Sequence, residues 1–348
     1  MRSAVMRDGA VVIRDDVDEP VPGFGQALVQ VKACGICGSD LHFVKHGATM
    51  LGLVADLEGL PQIGAGPPDL SRDVFMGHEF SAVVLEIGPD TIGPAPGTLV
   101  TSVPVMLGAD GVRDLSYSND LPGGYSDRML LSAPMLLEVP NGLDARRAAL
   151  TEPMAVGLHA VNRSGIDLQH GALVLGCGPI GLAVIAALSL KGIEPIVATD
   201  FSATRRRLAE TMGAHVAVDP ATTPAFEAWA GAGRGRPLVV FEAIGVPGIL
   251  DDILRLAPMH TRVVVVGVCM QTDAVTPFFG IAKELSIQFV LAYDPGEFAT
   301  SLRSIAEGQI DVTPLVTGDV GIADIPGAFD ALANPEQHCK ILVVPEGS

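Results

Sequence analysis

Residues 1–33 alternate apolar and polar positions, as in Ala27-Leu28-Val29-Gln30-Val31-Lys32, with Pro20, Pro22, Gly23 and Gly25 as punctuation. A period of two broken by turn residues predicts short antiparallel strands. Phe80–Ile87, Thr98–Val105 and Met129–Val139 read the same way, parted by Gly88-Pro89, by Gly93-Pro94-Ala95-Pro96-Gly97 and by Gly123-Gly124-Tyr125. The first 140 residues are therefore expected to be mostly β, in a rolled or barrel-like unit. Two stretches inside it lack the pattern. Cys34–His42, with glycines at 35 and 38, is expected to be a loop, and residues 45–73, rich in Gly, Pro and Leu, an irregular excursion with one short helix.

The period changes near Asp144. Ala145, Ala148, Ala149 and Leu150 lead a helical stretch through Met154–Val161. Strands at 172–175, 195–199, 215–218, 237–241 and 262–267 follow, interleaved with helices at 179–190, 203–212 and 247–256. Short apolar strands alternating with helices predict an α/β unit with a parallel, doubly wound sheet.

One junction in this half carries chemistry. Strand Ala172-Leu173-Val174-Leu175 runs into Gly176-Cys177-Gly178-Pro179-Ile180-Gly181, a G-x-G-x-x-G that opens a helix. Gly176 serves the tight turn, Gly178 lets the backbone approach a pyrophosphate, and Gly181 lets helix and strand pack closely. The next strand ends at Asp200, 19 residues after Gly181. A carboxylate there accepts hydrogen bonds from the ribose hydroxyls of NAD and repels the extra phosphate of NADP, so NAD is expected over NADP. Arg205 is either part of a solvated helix face or a cover over the adenine.

Composition narrows the field. The 348 residues suggest about two domains, and 48% apolar against 18% charged residues excludes a disordered chain. A net charge of −18, from 22 basic and 40 acidic residues, disfavours nucleic acid and anionic membranes as partners. Gly171–Leu190 is uncharged and long enough for a bilayer, but the glycines and proline at 176–179 break it and have a better use. Five scattered cysteines and an N-terminus without a signal-peptide core suit a reducing cytoplasm.

Three further segments hold metal-ligand residue types: Cys37 within Cys34-Gly35-Ile36-Cys37-Gly38-Ser39-Asp40-Leu41-His42, His78 and Glu79 after Gly77, and Glu152 in Thr151-Glu152-Pro153. Thiolate, imidazole and carboxylate together are the ligand set of a catalytic zinc with one open position. Taken singly, Cys37 is as well explained as a buried thiol, and His78-Glu79 as a surface pair. No second C-x-x-C is present to close a four-sulfur site.

Taken in order, these motifs, with Phe241-Glu242-Ala243-Ile244-Gly245 and Val265-Val266-Gly267-Val268, resemble the zinc-dependent medium-chain dehydrogenases, the family of alcohol, sorbitol and threonine dehydrogenases. The resemblance spans nearly the whole chain. It implies a GroES-like catalytic domain over 1–153, a Rossmann domain over 154–291, and a C-terminal segment, 292–348, completing the first. It implies zinc on Cys37, His78 and a carboxylate, with Glu79 and Glu152 both candidates. Ser39 is expected to take the substrate proton and pass it through the cofactor ribose toward His42, Glu79 standing with them in the catalytic group. Gly176, Gly178, Pro179, Ile180, Gly181, Asp200, Arg205, Gly245, Val266, Val268 and Leu291 are expected to line the cofactor.

The chain departs from the family pattern in three places. The lobe between Gly88 and Tyr125 lacks the four cysteines of a structural zinc, so one zinc per subunit is expected. Cys37 and His78 are 41 residues apart, longer than usual. Ala292 stands where polyol-specific relatives often carry arginine. The apolar insert (Met50, Leu51, Leu53, Val54, Leu57, Leu60, Ile63) points to a fairly hydrophobic secondary alcohol, or its ketone, as the small-molecule substrate. A homodimer or homotetramer is the expected assembly. A zinc-free quinone or enoyl reductase and a non-catalytic NAD-binding protein are the alternatives.

Overall fold

The computed structural model describes residues 1–57, 66–109 and 111–345. Its first half is built on the strand Gln26–Gly35, where the alternation is densest and all but three of the ten residues are buried. Glu79–Ile87 pairs antiparallel along nearly its whole length, and Arg128–Ser132 covers its N-terminal end. Lys340–Val343 pairs with its C-terminal end, Leu342 opposite Gly35 and Val343 opposite Cys34. The chain's last strand thus returns to the first sheet, with Val316–Val320 parallel at its far side. A four-stranded sheet formed by Ala10–Arg14, Ser3–Arg7, Val74–Met76 and Tyr117–Ser118 lies alongside.

The second half is a six-stranded, all-parallel sheet. Its order is 216–218, 196–199, 171–175, 238–242, 262–265, 286–289, so the strand order reverses beside Gly171–Leu175. A crevice opens at the carboxyl ends of strands at such a reversal, which is where doubly wound sheets bind ligands. The fold is thus α/β: a β-rich GroES-like unit joined to a Rossmann sheet. The helices Thr151–Arg163 and Pro179–Leu190 pack against each other at the junction; a side chain on Gly157 would collide with the Ala183 backbone at 2.4 Å.

Several expectations are corrected. Cys34–His42 is not a loop: the strand runs to Gly35 and the helix Gly38–Ala55 starts at once, with Cys37 as its N-cap. The carboxylate of Asp40 accepts from the Cys37 N–H, closing the first turn in spite of its glycine. The following excursion accordingly begins with two turns more helix than its irregular periodicity suggested, bent at His46. Thr98–Val105 divides into two strands, Leu99–Thr101 and Val105–Gly108, in different sheets. Helices Ala225–Ala232, Pro277–Lys283 and Pro295–Ala306 and the strand Ser286–Phe289 lay outside the expected elements. Among the described residues no helix is long and apolar enough to cross a membrane.

Candidate active site

Register decides what reaches the junction. Gly35 lies opposite Glu79 across the central strand pair, and a Cβ there would sit 2.0 Å from Glu79 Oε2. The glycine makes room for a fully buried carboxylate. Lys340, brought beneath it by the returning C-terminal strand, donates to Glu79 Oε1 at 2.6 Å, to Oε2 at 2.7 Å and to the Ile36 carbonyl at 3.0 Å. Burial would lower the Lys340 pKa, but the Glu79 charge reverses this and raises it. Both oxygens of Glu79 are therefore engaged in a buried ion pair, which competes with metal ligation by Glu79. Lys340 went unnoticed in the sequence because its partner is 261 positions away.

His78, 7% exposed, projects beside Cys37. Its Nε2 lies 3.4 Å from Ser39 Oγ, and its buried Nδ1 faces Asp40 Oδ1 at 3.5 Å without a hydrogen bond. Asp40 is fully buried and is held by the Tyr125 hydroxyl at 2.6 Å. Burial alone would lower the His78 pKa; Asp40, Cys37 and Glu152 outweigh it and lift it well above the ordinary imidazole range. Glu152, in the first turn of Thr151–Arg163, completes the group. Burial raises its carboxyl to about 7, opposed by His78 and helped by Glu79, and the Tyr293 hydroxyl lies against it. A carboxyl kept partly protonated by burial is one that a divalent cation would readily ionise.

These side chains fit zinc chemically: one thiol, one imidazole and one carboxylate not already paired with a lysine. They are more loosely spaced than a loaded site. Among the described residues the only metal-ligand group with all its donor atoms within 4.8 Å of one another is His159, Asp294 and Glu297. That group is already satisfied as a helix cap, since Glu297 accepts from His159 Nδ1 at 2.7 Å, Asn162 Nδ2 at 2.8 Å and the Asp294 N–H at 2.9 Å.

The other expected residues fall in two places. Ser39 faces His78, whereas His42 lies exposed one turn along the same helix. Of the apolar insert, Met50 and Leu51 pack on the core and Leu53, Val54 and Leu57 face outward; Leu60 and Ile63 lie outside the described residues.

The cofactor cradle is built as its fingerprint demands. Gly176 has φ 89°, the turn only glycine takes easily. A Cβ on Gly181 would lie 1.9 Å from the Gly176 carbonyl, whereas one on Gly178 would meet nothing within 4 Å. The space beside Gly178 is thus open, at the N-terminus of the helix Pro179–Leu190. Pro179 and Ile180 form that helix's first turn. Asp200 Oδ2 accepts from the Cys177 N–H and Oδ1 from the Ser202 N–H, each at 2.8 Å, and Arg205 Nη1 stands 4.0 Å from Oδ2. Opposite, Glu242 caps the N–H groups of Ile244 and Gly245, and Gly245 approaches the Val268 backbone so closely that a Cβ would lie 2.7 Å from it. Val266 is half-buried, while Val268 and Leu291 are exposed apolar side chains at this end of the sheet.

Known proteins bear on this arrangement. Residues 23–141 match the alcohol dehydrogenase GroES-like domain and residues 179–307 the zinc-binding dehydrogenase domain. The chain is 31% identical to (R,R)-butanediol dehydrogenase of Bacillus subtilis over 344 residues, covering 95% of this chain and 96% of the relative. The crystal structure of 2R,3R-butanediol dehydrogenase from Bacillus subtilis superposes with a TM-score of 0.81 at 30% identity, over 99% of both chains. A zinc-binding dehydrogenase from Sinorhizobium meliloti 1021, solved with NADP, superposes with a TM-score of 0.81 at 28% identity, also over 99% of both chains. The motifs, the two-part fold and these similarities lead to one conclusion: the chain is an alcohol oxidoreductase of the zinc-dependent medium-chain dehydrogenase family.

Proposed function

We propose that the chain oxidises a small secondary alcohol to its ketone, or reduces the ketone, with NAD. The electrostatic proximity of Cys37 and Glu152 to His78, in a chain that also carries the nucleotide cradle at Gly178, supports this reading. Cys37, His78 and Glu152 hold one zinc per chain, and Glu79 stays behind them, paired with Lys340. Zinc so placed supplies a Lewis acid that lowers the pKa of an alcohol, and NAD supplies the hydride acceptor.

The chain's own residues do the rest. Asp40, fixed by Tyr125 and the Cys37 N–H, sets the His78 ring. Ser39 accepts the alcohol proton, and His42, exposed on the next turn, delivers it to water. Gly178 admits the pyrophosphate, and Asp200, pinned by two backbone N–H groups, favours the unphosphorylated ribose of NAD. Gly245, Val266, Val268 and Leu291 complete the nicotinamide side, with Arg205 over the adenine.

Association through the sheet edge accounts for the exposed strand Ser286–Phe289, where Phe289 is 65% and nearby Leu291 82% exposed. That edge supports a homo-oligomer, and five free cysteines suit a reducing compartment such as the cytoplasm. The named activity of the butanediol dehydrogenase relatives supports a small secondary alcohol as substrate. The test is a panel of secondary alcohols, diols and ketones with NAD and NADP, before and after chelation. Zinc-dependent NADH formation on secondary alcohols supports the reading. Chelator-insensitive turnover, or none, overturns it.

A further inference from the structure

The short strand Tyr117–Ser118 carries a tyrosine that no expectation used. Its register places Tyr117 opposite Met76, two residues before His78. The ring stacks on Phe43 with centroids 4.0 Å apart and planes 17° from parallel, and it meets the edge of the His78 imidazole at 6.2 Å. Phe43 is buried one turn after Ser39 on the same helix, so the tyrosine ring is fixed from both sides. Its hydroxyl is buried and, among the described residues, has no partner in strict hydrogen-bond geometry. Ser39 is the side-chain hydroxyl that interacts with it, in a contact outside that geometry.

A buried phenol left unpaired is costly and asks for an explanation. Ser39 Oγ now faces His78 Nε2 at 3.4 Å. Were His78 to hold zinc through Nε2, that nitrogen would have no lone pair left for a serine, and the Ser39 hydroxyl would be free to pair with Tyr117. A serine hydroxyl has one proton to give and two lone pairs to offer. With one lone pair taken by the phenol, the other is left for the alcohol proton, and Ser39's own O–H points onward. Ser39 gains the substrate proton as it releases its own into the relay toward His42, which takes it up, and the charge on Ser39 does not change.

We infer that Tyr117 is a positioning residue that fixes the Ser39 hydroxyl for proton transfer. The inference rests on the proposed alcohol oxidation with Ser39 as first proton acceptor. A tyrosine that merely fills the core would act through ring packing, which phenylalanine preserves.

The test is a double-mutant cycle of Tyr117→Phe and Ser39→Ala in the full-length, zinc-loaded enzyme. NADH formation is followed in single turnovers, with enzyme in excess so that slow variants are read. Tyr117→Phe is expected to lower the turnover rate about tenfold and to change KM less than about twofold, the scale of one hydrogen bond felt in the transition state. Zinc content, NADH affinity and unfolding midpoint stay at wild-type values. In the Ser39→Ala background the same substitution changes the rate less than about twofold, and the solvent deuterium isotope effect of Tyr117→Phe exceeds that of wild type. An equal loss in both backgrounds, no loss in either, a change in KM alone, or loss of zinc or fold overturns the inference. Wild type that forms no NADH instead defeats the activity reading, which the first arm of the cycle reports separately.

Discussion

The nucleotide half and the metal half of the active site are assembled in different ways. The pyrophosphate and ribose end of the cradle is local: Gly176 to Asp200 is one turn, one helix and the next strand, and its hydrogen bonds join neighbours within 23 residues. The proposed metal site draws on residues 37, 78 and 152, with Tyr125, Tyr293 and Lys340 around them, brought together from separate stretches of the chain. A local site tolerates change at one residue if the turn survives. A converging site depends on the buried polar contacts that hold its segments together.

That contrast can be broken first at the metal. Cys37→Ser is expected to abolish zinc binding and lower turnover by about a thousandfold or more, the scale of losing several kcal/mol of Lewis-acid stabilisation. Because Cys37 is only half-buried, the unfolding midpoint of the metal-free protein should change little. Elemental analysis beside NADH absorbance checks both, and retention of zinc would contradict the assignment.

The next effect is on stability. Lys340→Met leaves the Glu79 carboxylate buried and unpaired, which is expected to cost about 3–5 kcal/mol in urea unfolding. Adding Glu79→Gln should recover much of the loss, because the stranded charge is gone. If Lys340→Met alone were neutral, the buried pair would not be what holds the returning strand to the site.

The smallest effect lies in the cradle, where two glycines of one motif should respond in opposite ways. Gly181→Ala pushes a methyl to 1.9 Å from the Gly176 carbonyl and is expected to cost about 1–3 kcal/mol of stability. Gly178→Ala places its methyl in open space, so stability should hold within about 0.5 kcal/mol while NAD binds about tenfold more weakly. Calorimetry and NADH fluorescence titration separate the two. Equal behaviour would remove the distinction between a packing glycine and a ligand glycine.

Legibility in the sequence followed the same division. Five of the six Rossmann strands and the helix after Gly178 were readable within a residue or two, because buried parallel strands are continuous apolar runs and the fingerprint is contiguous. The helix at Gly38 was not, because its glycine and the Gly35 before it signal a turn, and the compensation comes from the Asp40 side chain. Helix Pro277–Lys283 and strand Ser286–Phe289 escaped for another reason. No residue of either is buried, so they lack the hydrophobic period that reports an element facing a core. Cys37, His78 and Glu152 were visible as types and spacings. That Lys340 pairs with Glu79 was not, because the two lie 261 positions apart, and neither Tyr117 nor Tyr293 carries a local pattern linking it to the site.

Zinc K-edge X-ray absorption on the purified, zinc-loaded protein tests the central claim most directly. The account predicts one zinc per chain with a single sulfur at about 2.3 Å and nitrogen or oxygen ligands at about 2.0–2.2 Å, the sulfur lost in Cys37→Ser and the shell altered by Glu152→Gln. A shell without sulfur, or one that keeps its sulfur in Cys37→Ser, would contradict it.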